Sequence, residues 1–238
     1  MSRSSPARLT RAVKAPRTAA ALVAGRYRQS RTGIAITDTT NRLRFGQDAP
    51  RVAQLIWVEP AACHVALNIS EALGPASPSL SGRVRGGDWD LQVRPVADVE
   101  KIAFGLRHWR DGVPWEETGA YEHMMRLIAE RGRPVDRCST LEDVIARYER
   151  LDAIYDEVLR EGRLKPRAEL SHGAFRERKG ILIHVSRHST PIFGGSSNNR
   201  FAMALALGLP AMPAQLGVVH AQAVRSWRGA FTGAGRVH

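Results

Sequence analysis

The sequence has little cysteine, few aromatic residues and no long hydrophobic run. Its two cysteines, Cys63 and Cys138, are too few for the disulfide framework of a small secreted domain, so we expect both thiols to be reduced. No Cys/His cluster has the spacing of metal ligands, and no metal site is predicted. The apolar run Ala19–Gly25 is too short to span a bilayer or to form the core of a signal peptide. These absences favour a soluble protein of the cytoplasm.

Acidic residues are missing from the start of the chain, where Asp38 is the first. The cations that precede it account for most of the formal net charge of +12. They are Arg3, Arg8, Arg11, Lys14, Arg17, Arg26, Arg28 and Arg31. We predict that residues 1–32 form a flexible basic arm. Such an arm suits nucleic acid or an anionic surface, although a solvated tail has the same composition.

The length of 238 residues fits one main domain with appendages. Residues 33–80 are predicted to form a β-rich N-terminal extension and a loop. The runs at 33–39 and 51–60 have β character, whereas proline, glycine and serine concentrate at 73–82, which is loop chemistry. We therefore predict that the main domain covers residues 81–238.

Two helices are predicted in the middle of the chain. The run at 118–132 places Tyr121, Met124 and Ile128 on one face and ends at Gly132. The sequence from Ser139 to Glu142 matches a capping box and opens a longer helix, whose apolar positions repeat at three and four as far as Gly162. A stripe with this spacing is typical of core packing rather than of a cofactor site.

The final third alternates strand and helix. A strand is predicted over 180–193, followed by the polar turn 193–200, a buried helix ending at Gly208, and a second strand at 210–220.

The turn, which reads FGGSSNNR, has the composition of an anion site. Glycines let backbone amides approach a ligand closely, and a helix that begins at Asn198 or Asn199 directs its N–H groups and its positive dipole end at the turn. A plain helix cap at Ser197 or Asn198 explains the same residues. The predicted phosphate-binding residues of the turn are Gly194, Gly195, Ser196, Ser197, Asn198, Asn199 and Arg200.

Arg187 and His188 precede the turn, and we expect both to lie near its mouth. Arg187 would bind phosphate, and His188, like His220, would serve as an acid or base, although a histidine at a strand end is commonly a surface residue. Asp88 and Asp90 flank Trp89, so they either present carboxylates to a ligand or surround a core tryptophan.

The order of these elements resembles the ParB/sulfiredoxin-like superfamily. The likeness is carried by LEDVIARYERLDAIYDEVLREG, then ILIHVSRHSTPIF, the glycine-rich turn with its arginine, the LGL helix end and MPAQLGVVH, with GGDWD upstream. It covers roughly residues 81–222. The resemblance implies an α+β fold, with a small mixed sheet and flanking helices, and a turn that contacts nucleotide phosphates, with Arg200 as the motif arginine.

The sequence departs from the family pattern in ways that limit the chemistry. Asn199 stands where histidine is usual, Ser197 stands where glycine is usual, and the turn holds no cysteine, which argues against sulfiredoxin chemistry. Because the turn also lacks an acid, the catalytic candidates are Asp88, Asp90 and His188. A nucleoside triphosphate with Mg²⁺ is the cofactor that this resemblance suggests.

The function expected from these patterns is binding of a nucleotide or other phosphorylated small molecule, with phosphoryl transfer or nucleotide hydrolysis left open. The helix-turn-helix module that follows the nucleotide domain in ParB has no room after the turn in this chain, which disfavours a sequence-specific DNA clamp. The alternative is a non-enzymatic nucleic-acid-binding protein that acts through the basic arm.

Overall fold

The computed structural model describes Tyr27 and residues 29–68 and 79–231. Almost all of the predicted basic arm and most of the predicted loop at 73–82 lie outside the described residues. Of those that are described, none belongs to a helix long and apolar enough to cross a membrane.

The first described helix, α1, spans Arg31–Phe45, so the prediction of a strand at 33–39 is wrong. Ser30 caps the helix, because its hydroxyl accepts a hydrogen bond from the backbone N–H of Gly33. At the other end Gly46 adopts a φ of 82° and donates its N–H to the carbonyl of Arg42. Two strong caps and a buried face with helical spacing outweigh the β-branched composition of the run.

Seven strands of the described residues form one mixed sheet. They are β1 (Leu55–Val58), β2 (Val65–Leu67), β3 (Val84–Arg85), β4 (Val93–Pro95), β5 (Ile181–Val185), β6 (Pro191–Phe193) and β7 (Met212–His220). Their order is β1-β7-β5-β6-β2-β4, and β3 also pairs with β7. β5 and β7 are parallel, β6 returns antiparallel to β5, and β2 runs parallel to β6.

The sheet includes the region that the sequence suggested as an extension. β1 pairs with the first half of β7, and β2 lies between β6 and β4. Residues 55–67 are therefore built into the same sheet as the final third of the chain. The predicted α+β architecture, a small mixed sheet with flanking helices, is confirmed.

In the described part of the chain, six further α-helices flank the sheet or connect its strands. They are α2 (Glu100–Trp109), α3 (Trp115–Thr118), α4 (Ala120–Arg131), α5 (Leu141–Glu161), α6 (Arg167–Leu170) and α7 (Asn198–Ala206). Among the described residues, α2 and α7 pack so closely that a Cβ on Gly105 would lie 2.9 Å from the Cβ of Ala202.

The predicted helices of the middle region are confirmed with one shift. α4 ends at Gly132, as expected. The capping box of α5 joins Thr140 and Asp143, one residue later than predicted, because the Asp143 carboxylate accepts the backbone N–H of Thr140. The buried stripe of α5 is also narrower than predicted, since Leu141, Ile154 and Leu159 are exposed.

The single strand predicted over 180–193 is in fact the hairpin β5–β6. Ser186–Thr190 form the connection, in which the N–H of Ser186 donates to the carbonyl of Thr190. All five residues of β5 are buried, because helices cover one face of the sheet and a smaller cluster with Trp89 covers the other. Cys63 and Cys138 are free thiols, as expected, and both are buried. Burial raises the pKa of the Cys63 thiol to about 12.

Candidate phosphate-binding site

The candidate site is the turn between β6 and α7. Ser197 occupies the N-cap position of α7 with a left-handed φ of 59°, and Gly195 has a φ of 75°. The Ser197 hydroxyl does not cap the helix, since it donates to the carbonyl of Lys179. The plain capping interpretation therefore fails at Ser197, and the helix N-terminus is left without a side-chain cap.

The backbone N–H groups of this turn are the feature that favours an anion. The first hydrogen bond of α7 runs from the N–H of Phe201 to the carbonyl of Ser197. Within the described parts of the chain, the N–H groups of residues 195–200 have no acceptor. A run of free amides at a helix N-terminus, where the helix dipole is positive, is a known arrangement for binding phosphate or carboxylate.

A cavity of about 280 Å³ lies beside the turn and is lined by Ser196. Lys179 and Arg178 bring two cations to it, and Leu182 and Gln215 form part of its floor on the sheet. Its lining also includes Ile34 and Val52, so apolar surface adjoins the cationic edge. The cavity can therefore hold an anionic group near the free amides and a small uncharged moiety next to it.

Lys179 is held in place by its backbone rather than by its side chain. Its N–H donates to the side-chain oxygen of Gln215, its carbonyl accepts from Ser197, and its φ is 69°. The Lys179 side chain makes no ion pair with any described residue, whereas Arg178 donates to the Gln29 side chain. Sequence reasoning missed both cations, although the basic run directly before β5 was visible.

Gly194 has a packing role rather than a ligand-binding one. It is buried, and its N–H donates to the carbonyl of Leu182. A Cβ at this position would lie 2.6 Å from Nε2 of His184 and 2.8 Å from Leu182. Glycine is therefore required for the close approach of the turn to β5.

His184 is the most buried titratable side chain next to the turn. Its Nδ1 accepts a hydrogen bond from the N–H of Val218, so the proton of the neutral ring resides on Nε2. Nε2 has no hydrogen-bond partner in the described structure, and Gly217 packs against the opposite edge of the ring. Burial lowers the pKa of His184 to about 3, so the ring is neutral near pH 7.

Arg200, the expected motif arginine, is directed away from the cavity. Its Nη2 donates to the carbonyl of Lys165, and its Nη1 is buried without a partner. Glu177 and Arg167 also have unpartnered buried atoms and interact electrostatically with it. Burial lowers the pKa of Arg200 and raises that of Glu177. This geometry indicates that Arg200 has a packing role within the domain and does not reach the cavity.

Arg187 and His188 do not lie at the mouth of the turn, which corrects the expectation from sequence. They belong to the β5–β6 connection, whereas Gly194 pairs with Leu182 at the opposite end of the same two strands. The rise from Leu182 to Ser186 corresponds to roughly 13 Å. The order of residues along the chain suggested proximity, but the hairpin separates them.

Arg187 is engaged by carboxylates at that opposite end. Its side chain donates to the buried Asp90, with Nη2 2.7 Å from Oδ1, and to the exposed Asp88 at 2.8 Å. The Asp90 carboxylate also accepts the Arg187 backbone N–H. Burial opposes ionisation of Asp90, but these hydrogen bonds outweigh it, and the pKa of Asp90 lies below its usual value. The pKa of Arg187 is raised by the same partners.

The residues around this ion pair are also occupied. Trp89 is a core residue, 5% exposed, whose indole N–H donates to the carbonyl of Arg85. The Nε2 of His220 lies 3.0 Å from the Gly87 carbonyl, and its Nδ1 accepts from the N–H of Gln222. His188 is exposed, and within the described ranges its one hydrogen bond runs from its backbone N–H to the Ser186 hydroxyl. At this end of the sheet, the polar groups of Arg187, Asp90 and His220 are therefore bound to one another or to nearby backbone groups.

The described side chains near the turn do not fit a Mg²⁺ site. Magnesium prefers carboxylate oxygens together with substrate phosphates, and the lining of the cavity contains no carboxylate. Asp88 and Asp90 lie at the other end of the hairpin and are bound to Arg187. No phosphoryl-transfer step follows from this geometry.

Comparison with known proteins finds no family model, curated protein or solved structure that matches the chain. The resemblance to the ParB/sulfiredoxin-like superfamily therefore stays a prediction.

Proposed function

We propose that the protein binds a phosphorylated small molecule at the turn between β6 and α7. The free N–H groups of residues 195–200 carry this proposal, because no described residue accepts them. The phosphate would accept several of these hydrogen bonds at the positive end of α7. The adjacent cavity would hold the rest of the ligand.

Lys179 is the cation that we assign to the ligand. Its side chain is exposed at the cavity and has no ion-pair partner among the described residues. Arg178 is partly committed to Gln29, at 2.6 Å. A cavity of about 280 Å³ is at the lower limit for ligand pockets, which favours a mononucleotide or a smaller phosphorylated metabolite over a dinucleotide.

Calorimetric titration with inorganic phosphate, pyrophosphate and the four nucleoside monophosphates tests the proposal. We expect at least one of them to bind wild type. Lys179→Gln should weaken that binding about tenfold, since it removes one charge-assisted contact. Arg187→Gln is the matched control, because it removes the same charge at the other end of the hairpin and should leave the affinity unchanged.

Arg200→Ala tests whether Arg200 binds phosphate, as the sequence resemblance implies, or packs within the domain, as its contact with Lys165 indicates. It should lower thermal stability with little effect on affinity, since its guanidinium donates to the Lys165 carbonyl and does not line the cavity. The proposal is wrong if none of these ligands binds wild type, or if Lys179→Gln and Arg187→Gln have equal effects on affinity.

A further inference from the structure

Helix α1 lies between two clefts that are rich in arginine. One cleft, of about 440 Å³, is lined by arginines from four segments of the chain together with a single acid, Asp38. These arginines are Arg42, Arg51, Arg176 and Arg228. This concentration of positive charge is independent of the turn at 193–200.

The second cleft, of about 790 Å³, lies along the other flank of α1. Arg44 from the helix and Arg83 and Arg85 from the β3 region contribute its cations, and its lining contains no acidic residue. Arg42 and Arg44 therefore face different clefts. They are two positions apart on a helix that turns about 100° per residue, so they emerge on opposite flanks.

Several of these arginines have no side-chain hydrogen bond or ion pair among the described residues. Arg176 forms an ion pair with Asp38, and Arg228 forms one with Asp48. These ion pairs explain the positions of both side chains. By contrast, the side chains of Arg42, Arg51 and Arg85 form no hydrogen bond or ion pair with any part of the chain that the structure describes. Among the described residues, the one contact of the Arg44 guanidinium is with the ring of the neighbouring Phe45, whose centroid lies 5.5 Å away. Cations without a counter-charge on both sides of one helix create a positive electrostatic potential that attracts a polyanion.

The ridge of α1 between the clefts is exposed. Leu43 is 82% exposed and Ile36 is 51% exposed, while the opposite side of the helix buries Ile34 and Asn41 against the domain. Thr32 and Thr39 complete the outer ridge, since both are exposed and lie at helical spacing from Ile36 and Leu43. Methyl-bearing side chains of this kind contact thymine methyl groups in the major groove.

We propose that α1 and its two arginine clefts bind duplex DNA. An α-helix with its side chains is about 10–12 Å wide, and the major groove of B-form DNA is about 12 Å wide. With the ridge of α1 in the groove, the phosphates of the two strands face the arginines of the two clefts. The narrow major groove of duplex RNA does not admit the helix.

A membrane surface fits the same helix less well. An interfacial helix buries one continuous apolar face and keeps its cations on the opposite face. In α1 the exposed ridge mixes Ile36 and Leu43 with threonines, and the cations lie on both flanks of that ridge. Anionic vesicles are therefore a competing outcome in the test.

Fluorescence anisotropy with a mixed-sequence DNA duplex of about two helical turns, measured over a range of salt concentrations, tests the proposal with the full chain. We expect the quadruple variant R42Q/R44Q/R51Q/R85Q to bind about 100-fold more weakly at moderate salt. Its salt slope, the change of log K with log salt, should fall by about 3 to 4 units, since each phosphate contact contributes about 0.9.

The matched control is R94Q/R133Q/R160Q/R225Q, which also removes four charges but replaces exposed arginines that do not line the two clefts. It should retain most of the affinity and slope, and circular dichroism of both variants should match that of wild type. An unchanged slope in the quadruple variant would assign binding to other cations and overturn the proposal. Stronger binding to single-stranded DNA, duplex RNA or anionic vesicles would overturn it as well.

Discussion

Both ends of the β5–β6 hairpin are rich in polar groups, but they differ in how many of those groups have partners among the described residues. At the connection, Arg187, Asp90 and His220 are joined by hydrogen bonds to one another or to nearby carbonyls and amides. At the turn, the amides of residues 195–200 lack acceptors among the described residues, and the Lys179 side chain has no counter-charge there. A polar cluster with satisfied partners stabilises the fold, whereas unsatisfied donors next to a cavity are suited to a ligand.

His184 joins the two ends, because its ring contacts Gly194 at the turn and lies 6.0 Å from the Trp89 ring near the connection. Of the effects predicted here, we expect the largest to be a loss of stability at low pH that arises from His184. The unfolded chain takes up a proton on His184 below about pH 6.5, but the folded protein resists protonation to about pH 3. Its contribution to stability is thus complete above pH 6.5 and is lost as the pH falls, by about 3 kcal/mol at pH 4.

Urea unfolding at pH 7, 5 and 4 measures this effect. The variant His184→Asn should show a smaller loss of stability between pH 7 and 4 than wild type, although it is less stable at pH 7. His188→Asn is the control for the loss of one imidazole, because it makes the same substitution at an exposed histidine outside the core. If the free energy of unfolding falls by the same amount between pH 7 and pH 4 in wild type and in His184→Asn, the pH dependence does not arise from His184.

A second variant tests the close packing of the turn between β6 and α7 against β5. Gly194→Ala should lower the free energy of unfolding by about 2 kcal/mol, since the added Cβ overlaps the His184 ring. Gly86→Ala provides the comparison, because its Cβ would meet only Ala221, at 3.9 Å. Denaturant titration of the two variants should separate them clearly, and similar values would show that the turn adjusts without strain.

A smaller loss of stability is expected from a substitution at the β5–β6 connection, where Asp90 binds Arg187. Asp90→Asn should cost about 1.5 kcal/mol at pH 7, since it weakens charge-assisted bonds to Arg187. The pKa of Asp90 is lowered in the folded state, so its contribution is complete above the unfolded value near 4 and fades at lower pH. The difference from wild type should therefore shrink at pH 3.

Asp88→Asn is the matched variant for this pair. Asp88 also contacts Arg187, but its side chain is 77% exposed, so its loss should have little effect on stability. Neither variant should alter binding of phosphate compounds at the turn. Weaker ligand binding in Asp90→Asn would show that the two ends are coupled and would undo the contrast between them.

Local sequence signals predicted several elements well. Gly132 and Gly162 end their helices as expected, and the run from 210 to 220 forms β7. The signal failed at 33–39, where β-branched residues lie in α1 between the caps Ser30 and Gly46. It also failed at 180–193, because a polar hairpin connection lies inside what resembled one alternating strand.

The candidate site was located by sequence only in part. The glycines, serines and helix start at 193–200 were visible, because turn and cap residues act locally. The roles of Arg200 and Arg187 were not, since each is decided by a partner distant in sequence, the Lys165 carbonyl for one and Asp90 for the other. Lys179 was missed because its place at the cavity depends on Gln215 of β7.

The sequence by itself determined the positive charge, the free cysteines, the helix ends and the strand–turn–helix–strand order of the final third. These properties depend on composition or on contacts between residues a few positions apart. Only the tertiary structure decided which of the described polar groups are satisfied and which are free. Pairing across the sheet sets Arg187 against Asp90, whereas the amides of 195–200 have no acceptor and Ser196 lines a cavity.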